Sequence, residues 1–454
     1  MARVVIVGGG PGGYESALVA AQLGAEVVVI DSDGVGGSAV LTDCVPSKTL
    51  IATAEVMSDL GSANELGILV DPPRVDLARV NQRVKALALA QSADIEGRLA
   101  REGVTVVHGR GRLDGPGRVV ATTADGETTY DADAVLIATG AAPRTLASAQ
   151  PDGERILTWE QVYDLDAMPE HLIVVGSGVT GAEFASAYQA LGVRVTLVSS
   201  RERVLPGEDP DAAQVLEDVS TRRGMTVLGQ SRMASVTRDG DVVTVALQDG
   251  RTVTGSHCIL ALGSVPNTTG IGLEAAGVRL DDGGFVVVDK VSRTSVPGVY
   301  AAGDCTGVFM LASVAAMQGR IAMAHVLGDA VQPLDLTVVS SNVFTAPEIA
   351  TVGVTQKQVD AGEVLAEVVM QPLATNPRAK MQGIVDGFVK LFVAPGSRSL
   401  LGGVVVGPRA SELIHPVSLA VTERLTADQF AQAFTVYPSI SGSIAEAARR
   451  LHQA

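Results

Sequence analysis

At 454 residues the chain is long enough for about three domains at roughly 150 residues each. Its residues are 46% apolar and 19% charged, which excludes a disordered chain, and 34 Lys+Arg against 50 Asp+Glu leave a net charge of −16. That field repels nucleic acid and anionic membrane, and no basic cluster opposes it, so no nucleic-acid partner is expected. The apolar runs are short and broken by glycine or polar residues, so no membrane span is expected either. The three cysteines, Cys44, Cys258 and Cys305, are too few for a disulfide scaffold and fit a reducing compartment. The sequence opens on a strand, Arg3-Val4-Val5-Ile6-Val7, without the long apolar core of a signal peptide. Together these readings lead us to expect a cytoplasmic protein.

The chain then repeats itself. Residues 4–31 read VVIVGGGPGGYESALVAAQLGAEVVVID, and residues 172–199 read LIVVGSGVTGAEFASAYQALGVRVTLVS. Each copy is an apolar strand, a G-x-G-x-x-G turn, an Ala-rich helical stretch, a stopping glycine and a second strand. Gly8, Gly10, Gly13 and Gly24 correspond to Gly176, Gly178, Gly181 and Gly192 at a constant offset of 168. In such a unit the first glycine permits the tight turn, the second lets backbone approach a pyrophosphate, and the third lets helix pack on strand. The phosphates then meet the positive end of the helix. A single copy of this pattern is weak evidence; two copies with strand, helix and returning strand in place predict two Rossmann-like dinucleotide-binding domains. The first copy ends in Asp31, a carboxylate suited to an adenosine ribose. The second ends in Ser199, followed by Ser200 and Arg201. Serine removes the charge that repels a 2′-phosphate, and Arg201 is then either its partner or a solvated cation at a strand end.

Between the copies, residues 45–101 read as a helical segment, and Val135-Leu136-Ile137-Ala138-Thr139-Gly140 reads as a buried strand entering a turn. Ile259-Leu260-Ala261-Leu262-Gly263 closes the second unit similarly. Val299-Tyr300-Ala301-Ala302-Gly303-Asp304 is a further strand, and Leu311 to Leu327 is helical. From about residue 337 strands and helices alternate without a nucleotide fingerprint. The expected division is 1–145 and 266–336 for the first nucleotide-binding domain, 146–265 for the second, and 337–454 for a separate domain.

These motifs together resemble the flavoprotein disulfide reductases, the class I pyridine nucleotide-disulfide oxidoreductases. The resemblance is carried by the two fingerprints, GGSAVLTDCVPSK at 36–48, ATG at 138–140, YAAGD at 300–304 and FTAPEIATVG at 344–353. It implies an α/β fold with FAD in the first Rossmann-like domain, NADPH or NADH in the second, and a C-terminal α+β dimerisation domain, hence a homodimer. For FAD it implies Gly8, Gly10, Gly13, Asp31, Ser38, Ala39, Lys48, Gly111, Thr139, Gly140, Asp304 and the helix start Leu311, Ala312 and Ser313. For NAD(P)H it implies Gly176, Gly178, Val179, Thr180, Gly181, Glu183, Ser199, Ser200, Arg201 and Gly263. Lys48 and Glu183 would pair near the flavin N5 as catalytic groups. Taken alone, Asp304 reads as a turn aspartate and Lys48 as a surface lysine.

The departures from the family pattern bear on the chemistry. The redox pair of that family is two cysteines separated by four residues; here Ala39 stands first and only Cys44 remains. The acid/base His-Pro…Glu reads Tyr437-Pro438…Gly442, and tyrosine, with an ordinary pKa of about 10, is a poor proton shuttle at neutral pH. Lipoamide, glutathione and mercuric chemistry are thereby placed in doubt, and neither Cys nor His spacing fits a metal site. The chain resembles the LpdA-like branch of NAD(P)H quinone reductases, which shares these losses. That branch implies a quinone acceptor, with Tyr437 as a substrate contact or an interface residue. A transhydrogenase or diaphorase, and a non-catalytic flavin-binding homologue, are the alternatives. Cys44 reads either as a flavin neighbour or as a small packed side chain.

Overall fold

The computed structural model describes residues 1–451, which divide into two compact units. The first comprises Met1–Thr49, Asn81–Arg144 and Gly263–Asp335; the second comprises Leu50–Val80, Thr145–Leu262 and the chain from Leu336 onward.

The first unit is built on a five-stranded parallel sheet. Its strands lie in the order Val299–Ala301, Ala134–Ile137, Arg3–Val7, Glu26–Asp31, Thr105–His108. Continuous apolar runs of this kind, buried on both faces, are what a helix-covered parallel sheet requires. Helices Pro11–Gln22 and Ala312–Val326 cover one face, in a core that includes Ala17, Leu18, Ala322 and Met323. They approach closely because both contribute glycine. A Cβ on Gly319 would fall inside the envelopes of the Ser16 hydroxyl and the Gly12 carbonyl, and Ser16 Oγ itself bonds to that carbonyl. An antiparallel sheet of Arg110–Leu113, Arg118–Thr123 and Gly126–Asp131, and the pair Ala141–Pro143 with Ser264–Pro266, complete the strands of the unit.

The second unit repeats the design. Its parallel sheet runs Thr226–Leu228, Arg194–Val198, His171–Val175, His257–Leu260, Ile156–Thr158. The repeat holds at the level of register: Val4 pairs with Val27 in the first sheet, and Leu172 with Val195 in the second. The Gly8 amide donates to Ile30 O at 2.8 Å, and the Gly176 amide to Val198 O at 3.0 Å. An antiparallel sheet of Met233–Asp239, Val242–Leu247 and Thr252–Gly255 adjoins these strands in sequence. From Ser340 the unit forms a five-stranded antiparallel sheet in the order Ser340–Val343, Glu348–Gly353, Leu400–Gly407, Phe388–Val393, Glu367–Pro372. Helices Ala410–Thr422 and Gly442–Arg450 share its core through Val417, Ile414 and Ala447.

One expectation is corrected. Residues 45–101 are not a single helical segment but two helices, Cys44–Ser62 and Leu77–Arg101, with a short 3-10 turn Ala63–Leu66 after the first. Gly67 adopts a left-handed φ of 80°, which ends the turn, and Pro72-Pro73 lack the amides a helix would need to continue. No helix among the described residues is long and apolar enough to cross a membrane.

The Gly12–Gly319 crossing yields a test. Gly319→Val should destabilise the protein by about 2–3 kcal/mol through overpacking, read as a lower midpoint in thermal or denaturant unfolding. A midpoint equal to wild type would mean the helices separate without cost.

Candidate functional site

The first cradle is made by backbone. Gly8 has φ +105°, and a Cβ there would collide with Ala138 O; a Cβ on Gly13 would collide with Gly8 O. Gly10, between them, has nothing within 4 Å of the place its Cβ would take. It is also the N-cap of helix Pro11–Gln22, and no side chain caps that end. The turn is therefore closed where strand meets helix and open where the helix presents its positive end, as an anion requires.

Asp31 shapes the rim. Its Oδ2 accepts from the Gly9 amide at 2.6 Å, and its Oδ1 from the amides of Asp33 at 2.9 Å and Gly34 at 2.7 Å. The following segment folds back: the Gly36 amide donates to Gly9 O at 2.8 Å, and a Cβ on Gly37 would stand 2.8 Å from Gly10 Cα. Helix Gly37–Leu41 then carries Ser38, exposed, and Ala39, half-buried; Cys44 and Lys48 are half-buried in the next helix. Gly111 is buried where a Cβ would stand 2.8 Å from Val7 Cγ1 and 3.4 Å from Ile30 Cγ2.

On the other side, the Thr139 hydroxyl is buried beside the weakly accepting Cys305 sulfur and has no oxygen or nitrogen partner among the described residues. Gly140 follows with φ +67°, and Asn267 holds the turn, its Nδ2 donating to Thr139 O and its amide to Gly140 O, both at 3.0 Å. Asp304 opens a short 3-10 helix after Gly303. Burial, reinforced by the Asp43 carboxylate, raises its pKa to about 6. The Gly303 amide donates to Gln318 Oε1 at 2.9 Å, a buried contact that no motif announces. Leu311 is the extended N-cap of helix Ala312–Val326, whose start, including Ser313, no side chain caps. An open glycine cradle, two uncapped helix starts and an orphaned buried hydroxyl in one unit fit a dinucleotide such as FAD.

The second unit holds the second cradle. Gly176 has φ +113°, a Cβ on Gly181 would collide with Gly176 O, and Gly178 has nothing within 4 Å of its Cβ position. Gly178 is the uncapped N-cap of helix Val179–Ala190, which carries Thr180 and the buried Glu183. Glu183 Oε1 accepts from the Phe344 amide at 2.8 Å, and Ser186 Oγ from the Ala346 amide at 3.0 Å. The helix thus holds the turn of the FTAPE motif.

Ser199 lies buried at the base of its loop. Its side chain is 0% exposed, with Oγ 2.7 Å from Ser177 Oγ and accepting from the Arg201 amide at 3.1 Å. Asp31 makes the equivalent contacts, to Gly9 and Asp33. Serine therefore preserves the loop's internal bonds without a charge, while Ser200 and Arg201 are exposed. Ser177 was not legible as a partner, because a serine inside a fingerprint carries no signal of its own. Gly263 has φ +82° and belongs with Lys48 to the first unit; Glu183 and Tyr437 belong to the second. Tyr437 is 83% exposed. Cys258 and Cys305 are fully buried, and burial raises both thiol pKa values, that of Cys305 to about 11. No two of the three cysteines are bonded.

With this geometry, the chain belongs to the pyridine nucleotide-disulphide oxidoreductase family. The family model matches residues 2–319, and that of its dimerisation domain matches residues 339–448. Among relatives, the chain is 57% identical over 461 residues to the NAD(P)H dehydrogenase (quinone) of Mycobacterium tuberculosis, covering 99% of this chain and 94% of that one. It is 33% identical to the dihydrolipoyl dehydrogenase of Zymomonas mobilis, covering 98% and 96%. The crystal structure of LpdA from Mycobacterium tuberculosis superposes with a TM-score of 0.96 at 56% identity, over 100% of each chain.

The raised Asp304 predicts a pH signature in the cofactor-free protein. Folding favours the protonated carboxyl, so below the unfolded pKa nothing is lost, and stability falls as pH rises from about 4 to about 6. Asp304→Asn should remove that fall and gain up to about 3 kcal/mol over wild type at pH 7. Urea unfolding at pH 4 and pH 7 measures it; parallel pH profiles would contradict the shift.

Proposed function

We propose that the protein is an FAD-dependent NAD(P)H dehydrogenase that passes two electrons to a quinone-type acceptor without a disulfide relay. The observation that carries this reading is at 39–44: alanine occupies the first position of the family's cysteine pair, and no two of Cys44, Cys258 and Cys305 are joined in a disulfide. The 57% identical quinone dehydrogenase supports the choice of acceptor. The chain carries the family's dimerisation domain and acts as a homodimer.

FAD, when bound, would supply the carrier for an electron pair between NAD(P)H and the acceptor. The balance is NAD(P)H, a proton and a quinone giving NAD(P)+ and a hydroquinone. The rest falls to the chain. The glycine turns and uncapped helix starts bind the phosphates, and Asp31 holds the first loop against the cradle. Lys48 contributes positive charge where negative charge gathers during hydride arrival. Glu183, fixed through the Phe344 amide, is its proposed counter-charge. Tyr437, exposed on the dimerisation domain, donates a hydrogen bond to the quinone carbonyl in the partner subunit's site. Three cysteines, none joined to another, and an excess of acidic residues suit a cytoplasmic setting.

Anaerobic dithionite titration of the FAD-loaded dimer, followed by flavin absorbance, should end at two electrons per subunit, with steady turnover of NADPH and menadione. A four-electron endpoint would reveal a second redox centre. A two-electron endpoint without turnover would leave a flavin-binding protein.

The exposed Arg201 reads the 2′-phosphate. Arg201→Ala should lower kcat/KM for NADPH by about 1.5–3 kcal/mol, the value of one charge-assisted contact, and leave NADH nearly unchanged. Equal losses with both nucleotides in steady-state kinetics would remove Arg201 from recognition.

A further inference from the structure

One buried side-chain amide closes a ring of hydrogen bonds around the turn that carries Asp304, and the chemistry above does not use it. Strand Val299–Ala301 leads to Asp304 through Gly303, whose φ of 86° and ψ of −159° lie in a region open essentially to glycine alone. The Gly303 amide donates to Gln318 Oε1 at 2.9 Å. Gln318 Nε2 donates to Thr306 Oγ1 at 3.3 Å, and the Thr306 hydroxyl donates to Gly303 O at 2.7 Å. A backbone amide can only donate, so the Gly303 contact fixes which end of the Gln318 side chain faces it. Gln318 is 1% exposed, and Thr306 is buried.

The ring touches Asp304 directly. The turn Asp304–Thr306 is a single 3-10 turn with glycine at each end, Gly303 and Gly307, and so has little rigidity of its own. After Asp304 the chain is held by the core: Cys305 is fully buried, and its carbonyl accepts from the Val286 amide at 2.8 Å. Before Asp304 the chain is held at the Gly303 amide, which finds its acceptor on Gln318. Without that acceptor Gly303 is free to turn, and the direction of the next side chain turns with it. Gln318 stands in the second turn of helix Ala312–Val326, whose start no side chain caps. The ring therefore fixes the Asp304 turn against the helix that begins at Ala312.

We propose that Gln318 is a positioning residue for FAD: by holding Gly303 through its oxygen and Thr306 through its nitrogen, it sets the direction of the Asp304 carboxyl relative to the start of its own helix. The proposal rests on the reading of the first unit as the FAD site, in which Asp304 and that helix start meet one ligand. The glycine cradle at 8–13 is fixed by its own strand and helix, so opening the ring acts through Asp304 and spares the cradle.

Titration of the full-length dimer, stripped of its flavin, with FAD tests this in a double-mutant cycle followed by flavin fluorescence. Gln318→Met keeps the volume and removes both polar atoms. Thr306→Val keeps the shape and removes the hydroxyl that links Gln318 to Gly303 O, and it carries the test if Gln318→Met does not fold. Each is made in wild type and in Asp304→Ala, which loses one contact to FAD and retains the cradle. In the wild-type background each folded variant should bind FAD about three- to tenfold more weakly, the effect of one or two hydrogen bonds. In the Asp304→Ala background the same change should cost less than about twofold, because the group it positions is gone. Equal weakening in both backgrounds, no weakening in either, Asp304→Ala binding as tightly as wild type, or failure of both variants to fold would overturn the proposal and leave Gln318 a packing residue. Wild-type protein that binds no FAD would instead overturn the reading of the first unit.

Discussion

The structure depends on one steric constraint made twice. In each Rossmann-like fold the first glycine's carbonyl lies against the third glycine's α-carbon, at a distance no side chain tolerates. That approach drops the helix onto its strand, aims its amide end at the turn, and leaves the middle glycine facing open space. The parallel sheets, the returning strands that end in Asp31 and Ser199, and the loops those residues stitch all follow from where the helix starts. The constraint is backbone against backbone, so it carries no preference for one nucleotide over another. On the proposed reading, discrimination falls to the loop beyond the second strand.

That division of labour explains how the two cradles diverged on one scaffold. Asp31 and Ser199 occupy the same register and both accept the amide two residues on. Asp31 reaches the Gly9 amide, and Ser199 the Ser177 hydroxyl, at matching positions of the two turns. The loop keeps its internal bonds in both cases, while the charge at its base changes from negative to none. The exchange of aspartate for serine removes the charge and keeps the side chain bonded to the turn and to the amide two residues on.

Much of this was legible in the sequence, because glycine spacing and strand runs report on local sterics. The two fingerprints, Asp31, the strand entering Thr139-Gly140 and the helix from Ala312 all appear as short patterns. What escaped were contacts between residues far apart in the chain. Gln318 at Gly303, Asn267 at Thr139 and Lys390 at Asp209 are ordinary side chains until the fold joins them. Ser199 was legible as uncharged but not as buried, since burial depends on Ser177 from another strand end. The two-helix break at 67–76 was visible only as Gly67 and Pro72-Pro73, inside a segment whose composition is otherwise helical.

The placement of sulfur has a consequence under the proposed quinone chemistry. Quinones are electrophiles as well as oxidants: a thiolate adds to the ring and is alkylated. Reactivity of this kind needs a thiolate and an open path to it. Cys258 and Cys305 are sealed in the two cores with their thiols held protonated by burial, and alanine at 39 removes the sulfur the family places first. Only Cys44 remains even half exposed. If the acceptor is the proposed quinone, alanine at 39 also removes one nucleophile that such an acceptor would alkylate.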